Sequence, residues 1–204
     1  MLRVALPDRP GTLGAVATAM GTVGADINAV EIVEKYEGYA LDDFMLELPG
    51  GVQPDSLVTA CTSVQGVEVL WLSRYPEPWG LQGDVDVLNH MTEYPERAEE
   101  ILTLESPEVF RVSWAVLIDR VRSQVLARTD LAPDLTAEGI AALGPLDELR
   151  SDELPDGWLN GWSETLIAVA PFRSDASIVI ARRGGPEFLQ SELARLRHLA
   201  ALAL

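Results

Sequence analysis

Within residues 1–75 the hydrophobic period switches repeatedly between that of a strand and that of a helix. Leu2, Val4 and Leu6 alternate with Arg3 and Ala5, the pattern of a strand with one buried face. Asp8-Arg9-Pro10-Gly11 ends that pattern, because proline removes a backbone donor and glycine admits a tight turn. Leu13, Val16, Ala17, Met20 and Val23 then follow at helical spacing, with Gly24 placed to stop the helix. Asn28, Val30 and Ile32 share one face of a second strand, and Tyr36-Glu37-Gly38 turns the chain back. Asp42, Phe44, Leu46 and Leu48 line a third strand. Beyond Pro49-Gly50-Gly51, residues 54–63 form a short helix presenting Leu57, Val58 and Cys61, and residues 67–72 a fourth strand.

The resulting order, βαββαβ, is the ferredoxin-like supersecondary arrangement. A dinucleotide fingerprint shares its outline of strand, glycine turn and helix, but the residues do not fit. Gly11 and Gly14 give only G-x-x-G, and the second strand turns back as a hairpin where a parallel fold needs a crossover helix. Asp8-Arg9-Pro10-Gly11-Thr12-Leu13, then Gly24-Ala25-Asp26-Ile27-Asn28, then Asp43-Phe44-Met45-Leu46 resembles an ACT domain in order and spacing across residues 1–75. The resemblance implies a regulatory module that pairs with a second copy and binds a free amino acid at the pair interface.

Elementary chemistry gives the same stretch a binding capacity. Amides from Gly11 to Leu13 open a helix and suit a carboxylate, while Asp8 and Asp26, expected beside them, suit an α-ammonium group. The resemblance implies ligand contacts at Asp8, Arg9, Pro10, Gly11, Thr12 and Leu13 and at Asp26, Ile27 and Asn28. Two departures bear on the ligand's identity. Asp26 stands where Asn is commoner, and Leu6 where some serine-binding members carry His. The plainer alternative is that Asp8 caps the first helix or its turn, and Asp26 the start of the second strand.

Arg74 to Gly80 holds two prolines and a glycine, so a linker is expected over 76–83 and a second domain over 84–204. There a helix from Asp84, a strand with Val112, Trp114, Val116 and Ile118, and a strand over 123–129 precede a short helix at 137–143. An irregular acidic stretch from Asp147 to Glu164 leads to a strand pair at 165–170 and 177–182 and a closing helix with Leu189, Leu193, Leu196 and Ala200 on one face. This α+β order, an antiparallel sheet with flanking helices, is similar to a GAF domain, chiefly through Ala170-Pro171-Phe172, Ile178-Val179-Ile180-Ala181 and Pro186-Glu187-Phe188. The resemblance implies small-molecule sensing or dimerisation. The cyclic-nucleotide signature N-K-x-x-F-D-E is absent, and this half has no Cys for a bilin. Trp158 and Trp162 fit either a lid over a second pocket or a loop packed onto the sheet.

Charge narrows the partners. Fifteen Lys+Arg against 32 Asp+Glu give a net charge of −17, spread along the whole chain, so neither nucleic acid nor an anionic membrane is an expected partner. Lys35 is the only lysine, read as a compositional habit. His90 and His198 stand in separate helices without ligand-spaced companions, and no nucleophile elbow or phosphate loop occurs, so neither a metal, a cofactor nor catalysis is expected. With one cysteine and no leader pattern, the chain is expected in the cytoplasm. It reads as a non-catalytic amino-acid sensor that forms a homodimer. The alternative reading is a scaffold for a partner enzyme or regulator.

Overall fold

The computed structural model describes residues 1–73, 81–162 and 164–203. The chain divides into two compact units, Met1–Tyr75 and Pro76–Leu204. The first runs β1 (Leu2–Pro7), α1 (Thr12–Thr22), β2 (Asp26–Tyr36), β3 (Tyr39–Glu47), α2 (Pro54–Thr62) and β4 (Glu68–Leu72). Its sheet is antiparallel in the order β2-β3-β1-β4. The helix α1 ends as Gly24 implied. At φ 77, Gly24 donates its N–H to the Gly21 carbonyl at 3.0 Å, and Ala25 donates to Met20 at 3.2 Å, satisfying carbonyls the last turn leaves open.

Leu2, Val4, Leu6 and Phe44 pack with Val16, Met20, Leu57 and Cys61 to close the core between sheet and helices. The other face of β1 and β3 holds a buried ion pair. Arg3 donates from Nε to Asp43 Oδ1 at 2.7 Å and from Nη2 to Oδ2 at 2.9 Å, a two-point match of guanidinium to carboxylate. One expectation fails in β2. Its register shifts between Ile27 and Ala29 and again between Ile32 and Glu34, so Ile27, Val30 and Ile32 face Leu46, Phe44 and Asp42. Asn28 is the extra residue of a bulge and does not share the face of Val30 and Ile32.

Of the expected linker, residues 76–80 lie outside the described residues, and 81–83 are already helical. The second unit comprises α3 (Leu81–Glu93), a 3₁₀ turn at Pro95–Arg97, α4 (Ala98–Val109), β5 (Trp114–Asp119), β6 (Gln124–Arg128), α5 (Ala137–Ala142), β7 (Arg150–Leu154), β8 (Thr165–Pro171), β9 (Ala176–Arg183) and α6 (Gln190–Leu202). Its antiparallel sheet has the order β6-β5-β9-β8-β7. The stretch expected to be irregular therefore contains a strand, β7. Arg-Ser-Asp-Glu-Leu has no apolar alternation, and its five residues are held extended by pairing with Thr165–Val169 of β8.

The central strands of this sheet are buried on both faces. Ala115 and Leu117 of β5 and Ile178 and Ile180 of β9 join Leu102, Leu193 and Leu196 in one core. Trp114, Val116 and Ile118, with Val179 and Ala181, join Ile140, Leu143 and Trp158 in another. Among the described residues no helix is long and apolar enough to cross a membrane.

A buried cation ties the helical side together. Arg182 of β9, 2% exposed, donates from Nη2 to Glu192 Oε1 at 2.6 Å and to the Phe110 carbonyl at 2.9 Å, and its guanidinium stacks 4.3 Å from the Phe188 ring centre. Glu192 Oε2 in turn accepts from the Leu189 N–H at 2.9 Å, capping α6. Arg182→Met removes the guanidinium that Glu192 Oε1 and the Phe110 carbonyl accept from. It is expected to destabilise the second unit by about 3–5 kcal/mol in urea unfolding followed by circular dichroism.

Candidate functional site

The Asp8–Leu13 turn follows from its sequence. Pro10 fixes φ, and Gly11 takes φ 92, the left-handed region in which a side chain is strained, with no atom within 4 Å of where a Cβ would stand. Asp8, Arg9, Pro10, Gly11 and Leu13 are exposed. Thr12 is not part of that surface: its side chain is buried and its N–H donates to the Arg9 carbonyl at 3.3 Å. Nor does Asp8 cap α1, because the N-cap is Gly11, which has no side-chain bond. The Asp8 N–H donates to the Gly38 carbonyl at 3.0 Å, bringing the tip of the β2–β3 hairpin alongside. From that hairpin, Lys35 Nζ donates to both oxygens of the Asp8 carboxylate at 3.0 Å.

Asp26 does not stand beside this turn within one chain. Helix α1 separates them, and its 11 residues span about 16 Å. At its far end Asp26 faces Glu47 across the strands, and Asn28 Nδ2 donates to Glu47 Oε1 at 3.2 Å. Ile27 is half-buried against the core. A cavity of about 600 Å³ opens at this end, walled by Leu46, Leu48, Val52 and Leu72 and by the Pro49–Gly51 loop. The expected contact residues thus fall into two groups at opposite ends of α1, one around Asp8 and one around Asp26.

Sequence reasoning missed three members of the Asp8 end: Lys35, Gly38 and Asp42. Asp42 lies on the helix-facing side of β3 opposite Val4 and Ile32, 1% exposed, and its Oδ1 has no hydrogen-bond partner among the described residues. Burial pushes its carboxyl above the ordinary value, Lys35 pulls it back, and Asp43 and Asp8 add to the rise. A chain with a single lysine placed one hairpin away from Asp8 was the available signal.

In the second unit Trp158 and Trp162 pack rather than line an open pocket. Their rings lie 6.3 and 6.0 Å from Trp114, and Trp158 Nε1 donates to Thr165 Oγ1 at 3.1 Å. Burial pushes the Cys61 thiol to about 11, so it is a core residue without nucleophilic character at neutral pH. His90 Nδ1 lies 2.7 Å from Glu105 Oε1, an exposed contact between α3 and α4. Among the described residues no three His, Cys, Asp or Glu side chains are grouped to hold a metal ion. No family model matches the chain, and no curated protein matches it.

Asp42 makes the acid range informative. Its raised value means that the neutral carboxyl is the form favoured by the fold. Its contribution is therefore complete below the ordinary value of 3.8 and lost as pH rises through the raised one. Asp42→Asn is expected to gain stability relative to the parent chain between about pH 3 and pH 7, read by urea midpoints across that range.

Proposed function

We propose that the chain is a non-catalytic cytoplasmic regulator whose first unit is an ACT domain binding a free amino acid and whose second is a GAF-like domain that dimerises or relays that state. The observation that carries this reading is the turn at Asp8–Leu13, with an exposed carboxylate, left-handed Gly11 and open space above it. The ferredoxin-like βαββαβ order agrees with it. So does the order in the second unit: hairpin β5–β6, an excursion through α5 and β7, hairpin β8–β9, then α6.

The two groups come together if chains pair through β2. This strand is an edge of its sheet, 11 residues long, with Val30 39% and Ile32 51% exposed. It runs from Asp26 to Tyr36, so its far end is the one beside Asp8. Antiparallel pairing with a second β2 brings Asp26 of the partner subunit toward Lys35 and Asp8, and the resulting interface is isologous. A carboxylate then faces the Gly11–Leu13 end of α1, and an ammonium group the flanking aspartates. The scaffold reading draws on a different observation, that Trp158 and Trp162 fill the sheet face where a second ligand would sit.

Calorimetry and thermal-shift measurements with the twenty amino acids test the proposal. One or a few are expected to stabilise the protein at millimolar concentration, and a flat response across the set refutes it. Gly11→Val is expected to abolish that response at a cost of about 1–2 kcal/mol in stability, since a β-branched residue is strained at φ 92. Light scattering is expected to give a dimer mass at micromolar concentration, and Ile32→Lys, which puts a charge on the exposed edge, a monomer.

A further inference from the structure

The carboxylate that an incoming ammonium group needs is already occupied. Lys35 Nζ stands 3.0 Å from both oxygens of Asp8. Both side chains are about half exposed, 54% and 41%, so the pair is open to exchange with a solute. Lys35 is the only lysine among 15 basic residues. Its ammonium is a compact charge with three donors, the same head group as an α-amino group, which an arginine fork does not imitate. Lys35 pairs across the hairpin with Ala40, and Asp42 lies two residues further along β3 on the same face. The buried Asp42 Oδ1 has no partner among the described residues, and Lys35 is the cation that acts on it.

From this juxtaposition we infer that Asp8, flanked by Asp42, forms a seat for a primary ammonium group, and that Lys35 is a tethered occupant which a ligand must displace. The inference rests on the sensor reading for its biological ligand and on the geometry alone for the seat. A tethered competitor weakens every ammonium ligand by the same factor. For an exposed pair of this kind that factor is about three- to fivefold. The isotherm keeps its shape, and its midpoint moves to higher ligand concentration by that same factor.

The test uses methylammonium chloride as probe and tetramethylammonium chloride, which has no N–H to donate, as control at equal ionic strength. The Asp8 and Asp42 carboxyl carbons are followed by NMR in the parent chain, Lys35→Met and Lys35→Arg. Lys35→Met is expected to show a saturable, methylammonium-specific shift at Asp8, about three- to fivefold tighter than in the parent chain. Lys35→Arg, which keeps a competing cation on Asp8, is expected to bind the probe no more tightly than the parent chain. Adding Asp42→Asn to Lys35→Met is expected to weaken the probe again. Equal affinity in the parent chain and Lys35→Met, or a shift that tetramethylammonium reproduces, overturns the inference. The amino-acid screen of the unmodified chain judges the sensor reading separately, so either can fail while the other stands.

Discussion

The second unit depends on a single desolvated cation. A buried guanidinium must satisfy its donors or forfeit more free energy than its packing returns. Arg182 does so by reaching the carbonyl of Phe110, where α4 gives way to β5, and the carboxylate of Glu192, in the first turn of α6. Two segments distant in sequence are thereby fixed to the end of one strand, β9. The adjoining Arg111 is held at φ 53, a conformation that non-glycine residues seldom adopt, and its carbonyl accepts from Arg182 Nε at 3.3 Å. A second arginine repeats the device nearby: Arg195 of α6 is bonded to Asp84 of α3 and donates to the Val109 carbonyl. The helical layer is therefore positioned by charge as well as by apolar contact.

The first unit is organised differently. Its helices cover one face of its sheet, and the buried Arg3–Asp43 ion pair lies on the other. Such a pair fixes register, because a one-residue slip of β1 against β3 would place a charge among Val4, Phe44 and Leu57. Strand β2, at an edge of the sheet, meets β3 with two shifts of register and leaves Val30 and Ile32 exposed.

Local pattern made much of this legible in the sequence. Leu2, Val4 and Leu6 on one face, Gly24 at the end of α1, and the apolar side of α6 all follow from period and glycine position, which depend on near neighbours alone. What escaped is what distant residues impose. β7 has a polar sequence and exists because β8 offers it a ladder. The bulge at Asn28 is a property of the pairing and leaves no mark in the alternation. The resemblance groups Asp26 with Asp8, whereas within one chain the intact helix between them holds the two apart. Lys35, 27 residues from Asp8, is joined to it only through the hairpin. Even Trp114, whose alternation is plain, discloses only one of the two cores that its strand divides.

Three of the chain's five tryptophans, Trp114, Trp158 and Trp162, stand within 6.3 Å of one another, with interplanar angles of 26°, 90° and 65°. At such separations the excited states of neighbouring indoles couple, and the strength of that coupling falls with the cube of their distance. The arrangement is chiral and fixed to the sheet, so it gives the folded second unit its own near-ultraviolet signature. Rings this close are also within range for excitation energy to pass between them. The packing of one sheet face is thus written into the protein's own light, where a shift of a single ring is readable without any attached dye.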